Sequence, residues 1–180
     1  EAAQDAGATV KLISGPVNLP APERIERVAV QSAEDMLTAS LSGLDQCDIF
    51  IAAAAVADYR PTAVAEHKIK KGSEEIMQLH LVKNPDIVAT VATQNNRPFT
   101  VGFAAETQDV LTYARGKLER KNLDMIIAND VSRSDIGFNS DNNAVTIVTA
   151  ESEQALPQTS KRRLAGQLIE QIAQSYHKTT

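Results

Sequence analysis

Ile49-Phe50-Ile51-Ala52-Ala53-Ala54-Ala55-Val56-Ala57-Asp58-Tyr59-Arg60 is the stretch on which the reading of this 180-residue chain turns. Its apolar start, which Cys47 to Phe50 supply, and the alanine run that follows predict a buried strand ending in an acid. Open parallel α/β sheets bind ligands in the crevice outside the carboxyl ends of their strands, which is where Asp58 would stand. The alanines leave so little side-chain volume that a ligand could lie against the backbone. They would equally let a helix pack closely, with Asp58 capping the next turn, and the stretch alone leaves both readings open.

Residues 1–6 have helix-forming composition, Gly7 is a helix stop, and residues 9–13 read as a strand running into Ser14-Gly15-Pro16. A Pro-rich loop over 16–23 leads to a short strand at 25–30. Ser32 opens a helix in an approximate capping box with Asp35, and its apolar face (Met36, Leu37, Leu41) ends at Gly43. Beyond Pro61 a charged segment from Glu66 to Glu75 reads as a mobile loop. The alternation over 76–82 predicts a hairpin or edge strand. Asn84 is the expected N-cap of the next helix, with Pro85 at its first position and Asp86 at its dipole, running to about Gln94.

A strand at 99–104, a helix at 109–121 and a buried strand at 125–128 continue the alternation. After the Asn-rich turn Gly137-Phe138-Asn139-Ser140-Asp141-Asn142-Asn143 come a strand at 144–148 and a last amphipathic helix capped by Ser160 and ending near Tyr176. The expected fold is α/β: one Rossmann-like domain over residues 1–180, with a mostly parallel doubly wound sheet, a small β-hairpin extension and a C-terminal helix. The chain starts inside an element, so the domain is read as incomplete at its N-terminus, without a first strand and the phosphate-binding turn after it.

Composition narrows the function. With 43% hydrophobic residues the chain can bury one full core, and a net charge of −5 argues against a nucleic-acid partner. The single Cys47 cannot form an intrachain disulfide and suits a reducing, cytoplasmic compartment. No apolar run approaches the roughly 20 residues that span a bilayer, and Glu1 opens no signal peptide or presequence. His67, His80 and His177 are scattered, which disfavours a zinc site. Arg115, Lys117, Arg120 and Lys121 gather four cations in seven residues of an acidic chain. They suit the negative end of a helix dipole, and Lys117 and Lys121, i,i+4 neighbours, would also suit a bound polyanion. The dipole reading is the simpler one on these residues alone. Lys68, Lys70 and Lys71 pose the same choice between a solvated loop and a lid over an anion.

Five motifs then occur in one order: Ala53-Ala54-Ala55-Val56-Ala57-Asp58-Tyr59, Lys68-Ile69-Lys70-Lys71, Lys83-Asn84-Pro85-Asp86-Ile87, Gly102-Phe103-Ala104-Ala105-Glu106-Thr107 and Gly137-Phe138-Asn139-Ser140-Asp141-Asn142. In this order the chain resembles bacterial phosphopantothenoylcysteine synthetase, the CTP-dependent ligase of coenzyme A biosynthesis, over nearly its whole length. The resemblance implies ligation of 4′-phosphopantothenate to L-cysteine with CTP and Mg2+, through an acyl-cytidylate, with release of pyrophosphate and then CMP. It also implies a homodimer. FMN would belong to a fused decarboxylase domain that is not in this sequence.

Carried onto these residues, the resemblance puts Asp58 at the ribose or the magnesium-nucleotide, and Asn84, Pro85, Asp86 and Ile87 with Phe103 at the cytosine and nucleoside. Lys117 and Lys121 would meet the triphosphate, which favours the polyanion reading over the dipole. Lys68, closing over the α-phosphate, and Ala55 would be the catalytic positions, while Ala54 and Ala55 would let the acyl-phosphate approach. The magnesium ligands and the cysteine pocket stay open. A second class of function, a non-catalytic nucleotide-binding or dimerising fragment, follows if the missing turn is essential, and in that case the chain alone would be a poor ligase. A nicotinamide-dependent dehydrogenase is disfavoured by the absence of Gly-x-Gly-x-x-Gly.

Overall fold

The structure, a computed structural model, describes residues 1–70, 76–132 and 140–179. The second half of the charged loop (Lys71, Gly72, Ser73, Glu74, Glu75) and the motif residues Gly137, Phe138 and Asn139 lie outside them.

A short helix α1 (Ala2–Asp5) stops before Gly7, whose φ of +91° is the left-handed turn that glycine adopts without cost. β1 (Lys11–Ser14) and β2 (Glu26–Ala29) pair in parallel as a two-stranded sheet. α2 (Ala33–Leu41) carries the expected capping box. Ser32 Oγ accepts from the Asp35 N–H, and Asp35 Oδ2 accepts from the Ser32 N–H, both at 3.0 Å. β3 (Ile49–Ala52) enters the main sheet. β4 (Tyr59–Pro61) and β5 (Leu81–Lys83) form an antiparallel pair at the root of the segment that carries Lys68. Then follow α3 (Ile87–Ala92), β6 (Phe99–Glu106), α4 (Val110–Arg120), β7 (Met125–Asp130), β8 (Asn142–Val148), β9 (Glu153–Ser160) and α5 (Lys161–Thr179).

The main sheet has the order β3-β6-β7-β8-β9: β3, β6 and β7 run parallel, and β8 and β9 are added antiparallel. Its two faces are read directly from the alternation of β6. Val101 belongs with Met125, Ile127, Val145, Ile147, Leu164, Leu168 and Ile172 under α5, while Ala104 belongs with Ala92, Ala114, Leu118, Ile126 and Val148 under α3 and α4. A sheet covered on both faces is what a doubly wound α/β fold requires.

Four expectations need correction. The stretch from Ile49 is a strand only to Ala52 and is not fully buried: among the described residues β3 pairs with β6 alone, leaving an open edge and Ile51 37% exposed. The alternating segment 76–82 forms a strand only at Leu81–Lys83, because its partner β4 is three residues long and one further bond, Thr62 N–H to His80 O, closes the ladder. The N-cap of α3 is Asp86 and not Asn84, since Asp86 Oδ1 accepts the Ala89 N–H at 3.2 Å. β9 is not expected from the sequence, where Pro157 and a polar run disguise it; among the described residues it pairs with β8 alone, and an edge strand tolerates proline.

Candidate nucleotide site at the strand ends

Residues 53–58 leave the carboxyl end of β3 without regular structure, and the chain there is exposed, as a backbone held open for a ligand would be. Asn84 fixes this loop in place. Its backbone N–H donates to Asp58 O at 2.8 Å, its Nδ2 donates to Ala57 O at 2.8 Å, and its Oδ1 accepts from an Arg60 guanidinium N–H at 3.1 Å. With Asn84 Oδ1 turned to Arg60 and Nδ2 to Ala57, the helix is capped instead by Asp86. The Asp58 carboxylate has no partner among the described residues, and Ala54 and Ala55 beside it are exposed.

The cationic helix supplies the second half of the site. Ala114 and Leu118 of α4 are buried against the sheet, so Lys117 and Lys121 form a parallel stripe one residue short of that face. Lys117 Nζ lies 2.5 Å from Glu106 Oε1 at the end of β6, and Lys121 Nζ lies 2.9 Å from Asp86 Oδ2 at the start of α3. Both ammonium groups are therefore held ready by carboxylates. Asp86 joins the two halves: one residue separates it from Asn84, and its carboxylate bonds both α3 and α4. Pro85 and Ile87 flank it, Ile87 buried and Pro85 half-buried.

The structure does not bring every expected residue together. Phe103 alternates with Ala104 and so projects from the face under α5, opposite to Lys117 and Lys121, with 41% of its surface open at the carboxyl end of β6. Lys68 is exposed on the segment between β4 and β5 and has no partner among the described residues. Arg60 and Glu106, which bond Asn84 and Lys117 here, have no local signal in the sequence, because each meets a residue distant along the chain.

At the other end of the sheet, where the strands begin, a cleft of about 400 Å3 is lined by Cys47, Asp48, Arg97, Phe99, Asp124 and Tyr176. Asp124 there accepts two N–H groups from Arg97, at 2.5 and 2.8 Å, and the Thr100 backbone N–H at 2.7 Å. Burial pushes the Cys47 thiol above its ordinary pKa, which makes it less reactive. No group of three or more potential metal-ligating side chains occurs among the described residues.

The profile of the DNA/pantothenate metabolism flavoprotein C-terminal domain (DFP) matches residues 1–176. The chain belongs to this family. Its DFP relatives include the coenzyme A biosynthesis bifunctional protein CoaBC of Vibrio cholerae, 56% identical over 174 residues, 96% of this chain and 44% of that protein. The CoaBC of Escherichia coli K12 is 48% identical over 178 residues, 97% of this chain and 44% of that protein. The chain thus spans under half the length of these relatives. The crystal structure of the C-terminal domain of a CoaBC superposes with a TM-score of 0.80 at 34% identity, covering 98% of this chain and 79% of that one. The α/β fold expected from the alternation of elements is the fold observed, and its structural counterpart is this domain. No helix of the described residues is long and apolar enough to cross a membrane.

Proposed function

We propose that this domain catalyses the ligation of 4′-phosphopantothenate to L-cysteine at the expense of CTP. The observation that carries the reading is the convergence of Asp58, the Asn84–Asp86 segment, Lys117 and Lys121 at one end of the parallel strands. Two cations at i,i+4 whose carboxylate partners stand at the end of β6 and the start of α3 suit a triphosphate and its metal better than they suit a helix dipole alone.

In this reading the phosphopantothenate carboxylate attacks the α-phosphorus of CTP and pyrophosphate leaves; the cysteine amine then attacks the acyl carbon and CMP leaves. Lys117 and Lys121 exchange their carboxylate partners for phosphate oxygens, so binding draws on cations already in place. Lys68 swings in from the β4–β5 segment to neutralise charge that develops at the α-phosphate. Ala54 and Ala55 admit the acyl-phosphate to the backbone. Phe103 packs on the nucleoside from the other face of the sheet end.

Magnesium suits the donor set. Mg2+ in nucleotide sites takes one or two carboxylates and completes its shell with phosphates and water, and Asp58 offers such a carboxylate. When bound, it would neutralise the triphosphate and draw it toward the strand end.

A homodimer is part of the proposal, and its support is the segment beyond β4. Val64, Ile69, Ile76, Met77, Leu79 and Leu81 are each more than half exposed, more apolar surface than one projecting segment normally leaves in water. The catalytic reading is tested in the complete protein by following pyrophosphate on mixing with CTP, Mg2+ and 4′-phosphopantothenate. Release before cysteine is added, with CMP appearing only afterwards, supports it; no release until cysteine is present overturns the order of steps.

A further inference from the structure

We infer that Arg60 is a positioning residue for the nucleotide site, acting through Asn84 rather than by touching the substrate. The inference rests on the proposed placement of CTP at Asp58 and residues 84–87.

The guanidinium of Arg60 spans three acceptors. One terminal nitrogen donates to Lys83 O at 3.0 Å and to Asn84 Oδ1 at 3.1 Å, and the other lies 2.6 Å from Glu34 Oε1 in the first turn of α2. By taking Asn84 Oδ1, Arg60 fixes which end of the carboxamide is the donor and turns Nδ2 toward Ala57 O. Together with the bond from the Asn84 N–H to Asp58 O, this holds two successive peptides of the alanine loop against the entry to α3. Asp58, which follows Ala57, and Asp86, which follows Asn84 by two residues, are thereby held at a fixed separation.

Arg60 also stands in β4 opposite Val82, at the root of the segment that carries Lys68. One side chain therefore ties α2, β5, the alanine loop and the base of that segment together. The ion pair to Glu34 is solvent-exposed and contributes little by itself. The charge-assisted bonds to Lys83 O and Asn84 Oδ1 carry the positioning. Lysine has the charge but not the fork, and cannot reach three acceptors in this plane.

The test uses Arg60→Met, Arg60→Lys and Asp58→Asn in the complete protein, with KM measured separately for CTP and for 4′-phosphopantothenate, and thermal stability measured for each variant. Arg60→Met is expected to raise the KM for CTP roughly 10- to 100-fold, with Arg60→Lys between it and wild type. The KM for 4′-phosphopantothenate and the melting temperature should change little. If Asp58→Asn weakens CTP while Arg60→Met does not, the positioning role is overturned and the site reading stands. If neither variant affects CTP, the placement of the nucleotide is itself wrong. A rise in every KM together with a lower melting temperature would make Arg60 a stabilising residue only.

Discussion

Lys121 Nζ stands 2.9 Å from Asp86 Oδ2, while Oδ1 of the same carboxylate takes the Ala89 N–H that opens α3. One side chain thus caps a helix and orients a cation on the neighbouring helix. The two roles separate by substitution. Asp86→Asn keeps a capping oxygen and should leave stability nearly unchanged, because the ion pair is partly solvated. Asp86→Ala loses the cap and should cost about 1 kcal/mol. Both should raise the KM for CTP by releasing Lys121, and thermal melts beside steady-state kinetics separate the effects.

CTP should stabilise the protein against heat more than ATP does at equal concentration. In the proposed site, polar groups at residues 84–87 that would bond the cytosine amino group would be left unpaired when a purine takes its place. Equal shifts in melting temperature for the two nucleotides would remove the claim of pyrimidine preference.

Lys68→Gln should lower kcat more than it raises the KM for CTP. Lys68 lies exposed with no partner among the described residues, so its contact with the α-phosphate is expected to form mainly as charge develops. A variant in which only KM changes would make Lys68 a binding residue.

Gly102→Ala should destabilise the domain by about 1 kcal/mol without altering the substrate KM values. A Cβ at this position in β6 would stand 2.8 Å from Leu123 Cδ1, and Leu123 is itself packed in the core under α4. Urea denaturation measures the loss. A variant as stable as wild type would show that Leu123 can move aside freely.

Much of this was legible from local chemistry. Ser32 and Asp35 announce their capping box because its partners lie three residues apart, and the apolar runs at 99–104 and 125–128 read as strands because both faces of the sheet are covered there. Lys117 and Lys121 were visible as an i,i+4 pair. What failed was tertiary. Asn84 has the composition of an N-cap, and only the folded chain shows its two ends engaged by Ala57 and Arg60. The face on which Phe103 stands, opposite to that of the lysines, is likewise set by its place in the sheet and has no local signal. β9 holds a single buried side chain, Leu156, so it presents no periodicity to detect.

Hydrogen–deuterium exchange of the complete protein with and without CTP and Mg2+ locates the nucleotide. Protection is predicted at residues 53–58, at the N-terminus of α3 through Asp86 and Ile87, and along the last turns of α4 around Lys117 and Lys121. Protection confined to the opposite end of the sheet, at Cys47, Arg97 and Asp124, or the absence of any protection at saturating CTP, would contradict it.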